Sequence, residues 1–155
     1  MTVLNGCEFP EDRAYFIERT QVTWVQRAGG VVTVGLTDPA QTRAGRILYV
    51  RVKPAGTARE RGKAIATVES GKWAGAVLAP VSGTVLEANP ELEVDPGLLN
   101  TDPYGRGWLV RMTMSAPAEF ERLLSGEAAL ARFKEILERD NIHCMRCQDV
   151  TEGQR

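Results

Sequence analysis

Two short apolar segments on either side of a polar turn constrain the fold of this chain more than any other feature. Residues 64–68 are apolar and partly β-branched, Ala74–Leu78 is also apolar, and the polar link at 69–73 contains Gly71. This pattern predicts a β-hairpin with Lys72 in its turn. A lysine there has a fixed backbone and a free amine, which suits covalent attachment of a long group. The alternative is an ordinary solvated lysine, because lysine side chains are mostly exposed.

Further short β-rich segments lie on both sides of this hairpin. Residues 23–26 and 31–34 flank a Gly29-Gly30 turn and predict a second hairpin. The other predicted strands are Ile47–Val52, Gly83–Ala88 and residues 108–114. Because glycine and proline turns separate so many short strands, we predict a mainly β fold, either a barrel or a sandwich.

Helical patterns occur in two places. Residues 37–44 predict a short helix with Asp38 as its N-cap and Pro39 in the first helical position. After Pro117, apolar residues recur at helical spacing, and we expect the Ser-Gly pair at 125–126 to divide this region into two helices. The apolar positions are Phe120, Leu123, Leu124, Leu130, Phe133, Ile136 and Leu137. We expect both helices to pack on the β structure, with partner docking on their exposed face as the alternative.

Length and charge limit the possible functions. At 155 residues we expect a single domain over 1–140, helical over 117–140, followed by a loose polar tail over 141–155. Nineteen basic and twenty acidic side chains give a net charge of −1, which argues against nucleic acid as a main partner. The sequence has neither a long apolar run nor a signal-peptide pattern, so we expect a cytoplasmic protein that does not enter membranes. We also expect a monomer.

Three cysteines make complete pairing within one chain impossible. In a reducing compartment we expect thiols, and we expect Cys7 to be a buried thiol or a bystander. Cys144 and Cys147 form a CxxC motif, which makes them redox candidates for disulfide formation or thiol exchange. A passive, reduced tail is the alternative. With His143 the motif offers three ligands, one fewer than a closed zinc site, so we predict no metal.

Five stretches of the chain together resemble the H protein of the glycine cleavage system, a lipoylated carrier. They are residues 34–41, 45–50, 68–72, 79–83 and 98–109. Their order and spacing are those of the family. The resemblance implies a lipoyl/biotinyl-type flattened β-barrel (a barrel-sandwich hybrid) with C-terminal α-helices. It also implies lipoate as the cofactor, joined by an amide to Lys72.

The attachment turn departs from the ordinary H protein. Gly71 and Trp73 flank Lys72 where the family usually has an apolar residue and a small one, and the tail at 142–147 is absent from ordinary H proteins. These features and the start at 5–10 resemble a sister group, the lipoate-binding proteins of bacterial sulfur oxidation. That group works with a heterodisulfide-reductase-like complex. Biotin is disfavoured, because biotinyl domains place methionine on both sides of the lysine.

We therefore hypothesise a carrier of sulfur intermediates rather than an enzyme, because the cofactor supplies the chemistry and the protein presents it. The first alternative is a glycine cleavage H protein, which shuttles an aminomethyl group between a decarboxylase, an aminomethyltransferase and dihydrolipoyl dehydrogenase. An alternative of another class is a thiol oxidoreductase that uses Cys144 and Cys147. The partners implied are a lipoate-attaching ligase or transferase, the heterodisulfide-reductase-like complex and dihydrolipoyl dehydrogenase.

The residues around Lys72 each have two readings. Glu69 and Ser70 either help an attaching enzyme to recognise the turn or simply end the strand and solvate the loop. Trp73 either shields the cofactor and contacts a partner or covers the barrel edge, and we favour the second reading.

Overall fold

The computed structural model describes residues 1–18 and 21–146, which form antiparallel sheets and short helices. The strands are β1 (Thr2–Leu4), β2 (Cys7–Phe9), β3 (Ala14–Glu18), β4 (Gln21–Ala28), β5 (Val31–Leu36), β6 (Ile47–Val52), β7 (Ala58–Arg59), β8 (Ala64–Ser70), β9 (Ala74–Leu78), β10 (Gly83–Ala88) and β11 (Val110–Thr113). The α-helices are α1 (Asp38–Ala44), α2 (Glu91–Val94), α3 (Leu98–Thr101) and α4 (Gly126–Arg139), and a 3₁₀ helix covers Pro117–Arg122.

Two sheets enclose the main core. One has six strands in the order β3-β4-β5-β11-β10-β7, and the other has three in the order β6-β8-β9. Alternation along the strands turns one set of apolar side chains inward from each sheet, so that Val25 and Met112 belong to the same buried cluster as Val68 and Val77. The structure thus confirms the predicted flattened barrel, including the hairpins β4-β5 and β8-β9.

The C-terminal helices close one side of this barrel. Phe133, Ile136 and Leu137 of α4 are buried in a second cluster with Phe9 and Tyr15. The rings of Phe9 and Phe133 stack with their centroids 4.3 Å apart. The predicted division into two helices and their packing on the β structure are confirmed, although the first helix is a short 3₁₀ turn.

Helix α1 is present as predicted, but the predicted cap is wrong. Thr37 is the N-cap, because its backbone is extended and its Oγ1 accepts a hydrogen bond from the N–H of Ala40 at 3.4 Å. Asp38 lies inside the helix, where its carboxylate is buried and accepts hydrogen bonds from the backbone N–H of Glu8 at 2.8 Å and from Gln41 Nε2 at 3.0 Å. Asp38 therefore joins α1 to β2 instead of capping the helix.

The two ends of the described chain are ordered. Residues 1–18, which show no clear period in the sequence, contain β1, β2 and β3. The expectation of a loose tail is wrong for residues 141–146, because Ile142 is buried and the carbonyl of Met145 accepts a hydrogen bond from Gln41 Nε2 at 2.9 Å. The division of the chain into 1–140 and a tail stays a prediction.

Cys7 and Cys144 form a disulfide, with their Cα atoms 4.8 Å apart. The expectation of thiols is therefore wrong for this pair. Cys7 is fully buried, as predicted, but it is neither a thiol nor a bystander. Folding brings the N-terminal hairpin against the segment that follows α4, so Cys144 meets a cysteine 137 positions away. Cys147, its predicted neighbour in the CxxC motif, lies outside the described residues.

Within the described part of the chain, no helix is long and apolar enough to cross a membrane.

Candidate functional site

Lys72 lies in the turn between β8 and β9, as the sequence predicts. The N–H of Ser70 donates to the carbonyl of Trp73 at 2.7 Å, which closes the turn. The hydroxyl of Ser70 also accepts hydrogen bonds from the backbone N–H groups of Lys72 at 3.3 Å and Trp73 at 3.1 Å. Ser70 therefore fixes the backbone of Gly71 and Lys72, while the side chain of Lys72 is exposed.

The alkyl chain of Lys72 crosses the C-terminal end of α1. The helix ends at Gly45, whose φ is 77° and whose N–H donates to the carbonyl of Gln41 at 3.1 Å. A Cβ at position 45 would lie 2.9 Å from Cε of Lys72. Glycine is needed at position 45 for two reasons. It permits the left-handed backbone, and it leaves room for the alkyl chain of Lys72.

Asn100 of α3 holds the end of α1 beneath Lys72. Its Oδ1 accepts from the N–H of Ile47 at 2.8 Å, and its Nδ2 donates to the carbonyl of Gly45 at 2.8 Å and to Gln41 Oε1 at 3.0 Å. Asn100 is fully buried. It therefore ties the last turn of α1, the start of β6 and α3 together by interactions that water cannot replace.

A groove of about 320 Å³ opens beside Lys72, between α1, the hairpin β4-β5 and the turn at the start of β9. We call it the lysine groove. Its lining is mainly apolar and includes Thr23, Leu36, Ala40, Arg43, Trp73 and Val77. The groove therefore offers a low-dielectric shelter next to a free amine, which is an arrangement suited to an apolar arm attached to that amine.

One polar atom of the lysine groove lacks a partner. Thr23 is 1% exposed, and its Oγ1 has no hydrogen-bond partner within the ranges that the structure describes. Thr23 lies two positions before Val25 on β4, so both side chains lie on the same face of the strand. Val25 belongs to the main core, and that face is therefore the barrel side. An unpaired buried hydroxyl costs about 1–3 kcal/mol of free energy.

Charge at the rim of the groove is balanced. Arg43 forms an ion pair with Asp140 at 3.2 Å. A hydrogen bond from Arg139 lowers the pKa of Asp140, with a further contribution from the charge of Arg43, so the carboxylate stays ionised. Asp140 lies outside the groove lining, which holds Arg43 but, among the described residues, no acidic side chain.

The remaining predicted site residues divide between the two faces of the hairpin. The indole of Trp73 packs over Gly75, where a Cβ would overlap the ring, and it also lines the lysine groove. Both readings of Trp73 therefore remain compatible with its position. Glu69 is exposed on the opposite face, between Tyr49 of β6 and Ala74 of β9. The roles of Glu69, Ser70, Gly71 and Trp73 in recognition stay predictions.

Sequence reasoning missed several residues that build this site. In the sequence, Thr23 is an ordinary residue of a predicted strand, and Arg43 is an ordinary charged residue of a predicted helix. Gly45 and Asn100 lie in stretches that carry the family resemblance, but only the fold shows that both lie beneath Lys72. Cys144 is not part of the groove lining; it lies on the segment packed against α1.

Comparison with known proteins gives a consistent result. The family model "Glycine cleavage H-protein" matches residues 14–136. A "Probable glycine cleavage system H protein 2" of Sulfurisphaera tokodaii is 47% identical over 147 residues, which cover 94% of this chain and 99% of the relative. "Glycine cleavage system H protein 3" of Aquifex aeolicus is 46% identical over 148 residues, covering 92% and 91%.

A solved structure agrees. The crystal structure of a glycine cleavage system H protein from Mycobacterium marinum superposes with a TM-score of 0.68 and 29% identity, covering 86% of this chain and all of that chain. The names of these relatives refer to glycine cleavage, and none of them refers to sulfur oxidation. The narrower resemblance to sulfur-oxidation lipoate-binding proteins is therefore not supported by them.

Proposed function

This chain belongs to the glycine cleavage H-protein family, and on that premise we propose that Lys72 is its lipoyl attachment residue and that its cargo is an aminomethyl group. H proteins carry lipoate covalently on a lysine, and they are carriers rather than catalysts. When bound, lipoate supplies a dithiolane that opens and closes by two-electron thiol exchange.

A single observation supports Lys72 as the attachment residue: its exposed amine stands on a rigid turn directly beside an apolar groove. Ser70 fixes the backbone of the turn, and Gly45 leaves room for the alkyl chain to cross α1. Amide formation removes the charge of the lysine, which lowers the cost of moving the arm into an apolar site. The turn also limits the volume that the arm searches, which raises its effective concentration at a docked partner.

The lysine groove fits such an arm in size and chemistry. Its apolar walls shelter a hydrocarbon chain from water. In this role Trp73 covers the arm between its visits to partners. The proposed partners are a lipoate-attaching ligase or transferase and dihydrolipoyl dehydrogenase.

Exchange of labelled bicarbonate into the carboxyl group of glycine tests the cargo. Lipoylated protein mixed with glycine decarboxylase is expected to support this exchange, because the decarboxylase needs an acceptor for the aminomethyl group. Unlipoylated protein is the matched control and should support none. If fully lipoylated protein is inert with an active decarboxylase, the aminomethyl cargo is wrong while the carrier role survives.

A sulfur carrier that works with a heterodisulfide-reductase-like complex is the second candidate, and one observation favours it. The described lining of the lysine groove contains the cation Arg43 and no carboxylate, so it offers no counter-ion to a positively charged cargo. An uncharged sulfur species would fit that lining without an uncompensated charge, because Arg43 is already paired with Asp140. Extra sulfur mass on the lipoyl group of protein purified from its host would favour this candidate.

Replacing Thr23 with valine tests the groove through stability. Valine keeps the shape but removes the unpaired hydroxyl, so we expect the free energy of unfolding of the unlipoylated protein to rise by about 1 kcal/mol. The midpoint of thermal unfolding should rise by roughly 2–4 °C. Thr33→Val, on the neighbouring strand β5 and only partly buried, is the control and should change less. A loss of stability in Thr23→Val would show that the hydroxyl is already paired.

A further inference from the structure

The segment 142–146, which we call the C-terminal strap, is bound to the body of the protein along its whole length. Asn5 Nδ2 donates to the carbonyl of Ile142 at 3.2 Å, and the N–H of Cys144 donates to the carbonyl of Asn5 at 3.0 Å. The carbonyl of Met145 accepts from Thr42 Oγ1 at 3.2 Å. The guanidinium of Arg146 binds the buried carboxylate of Asp38 at 3.2 Å. The strap therefore has a defined seat on α1 and the N-terminal hairpin.

The Cys7–Cys144 disulfide lies among these contacts, but none of them is made by a sulfur atom. Each of them joins the strap to the body, so opening the bond breaks none of them directly. The Sγ of Cys7 lies 3.8 Å from the carbonyl oxygen of Asn5, an acceptor for the S–H that reduction would produce. The carbonyl oxygen of Asn5 can therefore accept a hydrogen bond from Cys7 when the pair is reduced.

The two sulfurs differ in access. Cys7 is fully buried, whereas Cys144 is only partly buried. Thiol exchange requires a thiolate to reach one sulfur of the disulfide, and access decides which one is attacked. Residue exposure therefore favours attack at Cys144, with Cys7 as the leaving group.

Helix α1 connects this disulfide to Lys72. Thr42 binds the strap, while Gly45, at the end of the same helix, lies under Cε of Lys72. Gly45 follows Thr42 by three positions, a rise of about 4.5 Å, less than one helical turn. Lys72 borders the lysine groove on one side and an open depression of about 470 Å³, lined also by Gly45 and Leu48, on the other. An arm rooted at Lys72 can thus lie in the lysine groove or leave it across the depression beside Gly45, at the end of the helix that binds the strap.

We propose that the Cys7–Cys144 disulfide is a second redox centre of this protein, opened by a vicinal dithiol of the reduced lipoyl class that the arm on Lys72 supplies, and closed by the reverse exchange with the cyclic disulfide of the oxidised arm. The inference rests on the proposed function for its source of dithiol. It assigns to Cys144 the role of the attacked sulfur, and to the strap that of holding Cys144 in place through the cycle.

The exchange consists of two successive displacements at sulfur. Cys144 Sγ accepts one thiolate of the dithiol, the bond between Cys144 and Cys7 breaks, and Cys7 leaves as a thiolate that takes a proton. The second sulfur of the dithiol then displaces Cys144, which leaves as a thiol. The dithiol becomes a cyclic disulfide and loses two electrons, and the protein disulfide gains them.

Thiol labelling tests the proposal on the full chain in a Cys147→Ser background, so that Cys7 and Cys144 are the only cysteines. Lipoylated protein is treated with dihydrolipoyl dehydrogenase and NADH, quenched with an alkylating agent and mapped by mass spectrometry. We expect alkylated Cys7 and Cys144 to appear at least tenfold faster than in a Lys72→Arg variant treated identically. Adding free lipoamide to Lys72→Arg should restore the reaction.

The outcomes separate the two proposals. Alkylated lipoyl sulfurs with unlabelled Cys7 and Cys144 would overturn the second redox centre, as would equal labelling in Lys72→Arg without lipoamide. If mass spectrometry finds no lipoyl group on Lys72, the proposed function fails by itself. Free dihydrolipoamide then tests the disulfide alone, and cysteines that stay unlabelled would overturn the exchange. A rate independent of protein concentration identifies the arm of the same chain as the donor, and a proportional rate identifies a second copy; both support the proposal.

Discussion

Replacing Lys72 with arginine is expected to abolish lipoylation and all carrier activity. A guanidinium stays protonated and cannot act as the nucleophile that forms the amide, whereas the lysine amine can. The fold should not change, because the side chain of Lys72 is exposed and arginine keeps the positive charge. Intact mass after incubation with a lipoate-attaching ligase measures the modification, and glycine–bicarbonate exchange measures the activity.

Lys63 provides a matched control for this prediction. It is an exposed lysine immediately before β8, at the opposite end of the same strand from the turn. Lys63→Arg should be lipoylated and active like the unchanged protein. A lipoyl group found on Lys72→Arg at another lysine would contradict the assignment of Lys72, and so would retained exchange activity.

Replacing Asn100 with alanine is expected to be the most destabilising single change at the site. It would leave the buried N–H of Ile47 and the partly buried carbonyl of Gly45 without their side-chain partner. Each unpaired buried group costs about 1–3 kcal/mol, so we expect the free energy of unfolding to fall by about 3 kcal/mol or more. The midpoint of thermal unfolding should fall by roughly 6–12 °C, as measured by circular dichroism.

Thr101 lies next to Asn100 in α3 and serves as the control. It is partly buried, and its hydroxyl makes one hydrogen bond, to the carbonyl of Gly97 at 3.3 Å. We expect Thr101→Ala to cost less than about 1 kcal/mol. Because Asn100 also positions Gly45 under Lys72, Asn100→Ala should slow lipoylation even below its unfolding temperature. If Asn100→Ala is as stable as Thr101→Ala, other groups replace the interactions of Asn100.

The segments of this fold with strong local patterns were predictable from the sequence. The apolar arms around Lys72, the β-formers around the Gly29 turn and the 3.6-residue period of the apolar face of α4 are local patterns, and the structure confirms them. Strands β1 and β2 escaped prediction because each is only three residues long and too short to show a period. Thr37 was missed as the cap because two adjacent residues, Thr37 and Asp38, are both good N-caps and only their backbone angles distinguish them.

The sequence by itself determined a mainly β fold, a barrel or a sandwich, and the place of Lys72 in a hairpin turn, because short-range spacing specifies turns and faces. The family resemblance added the flattened barrel and lipoate. Only the tertiary structure decided which groups meet around that turn: Gly45 under the lysine, Asn100 beneath Gly45, and Thr23 across the groove. It also decided that Cys144 pairs with Cys7 across 137 positions. Such contacts depend on how whole elements pack, and no local period in a sequence encodes that packing.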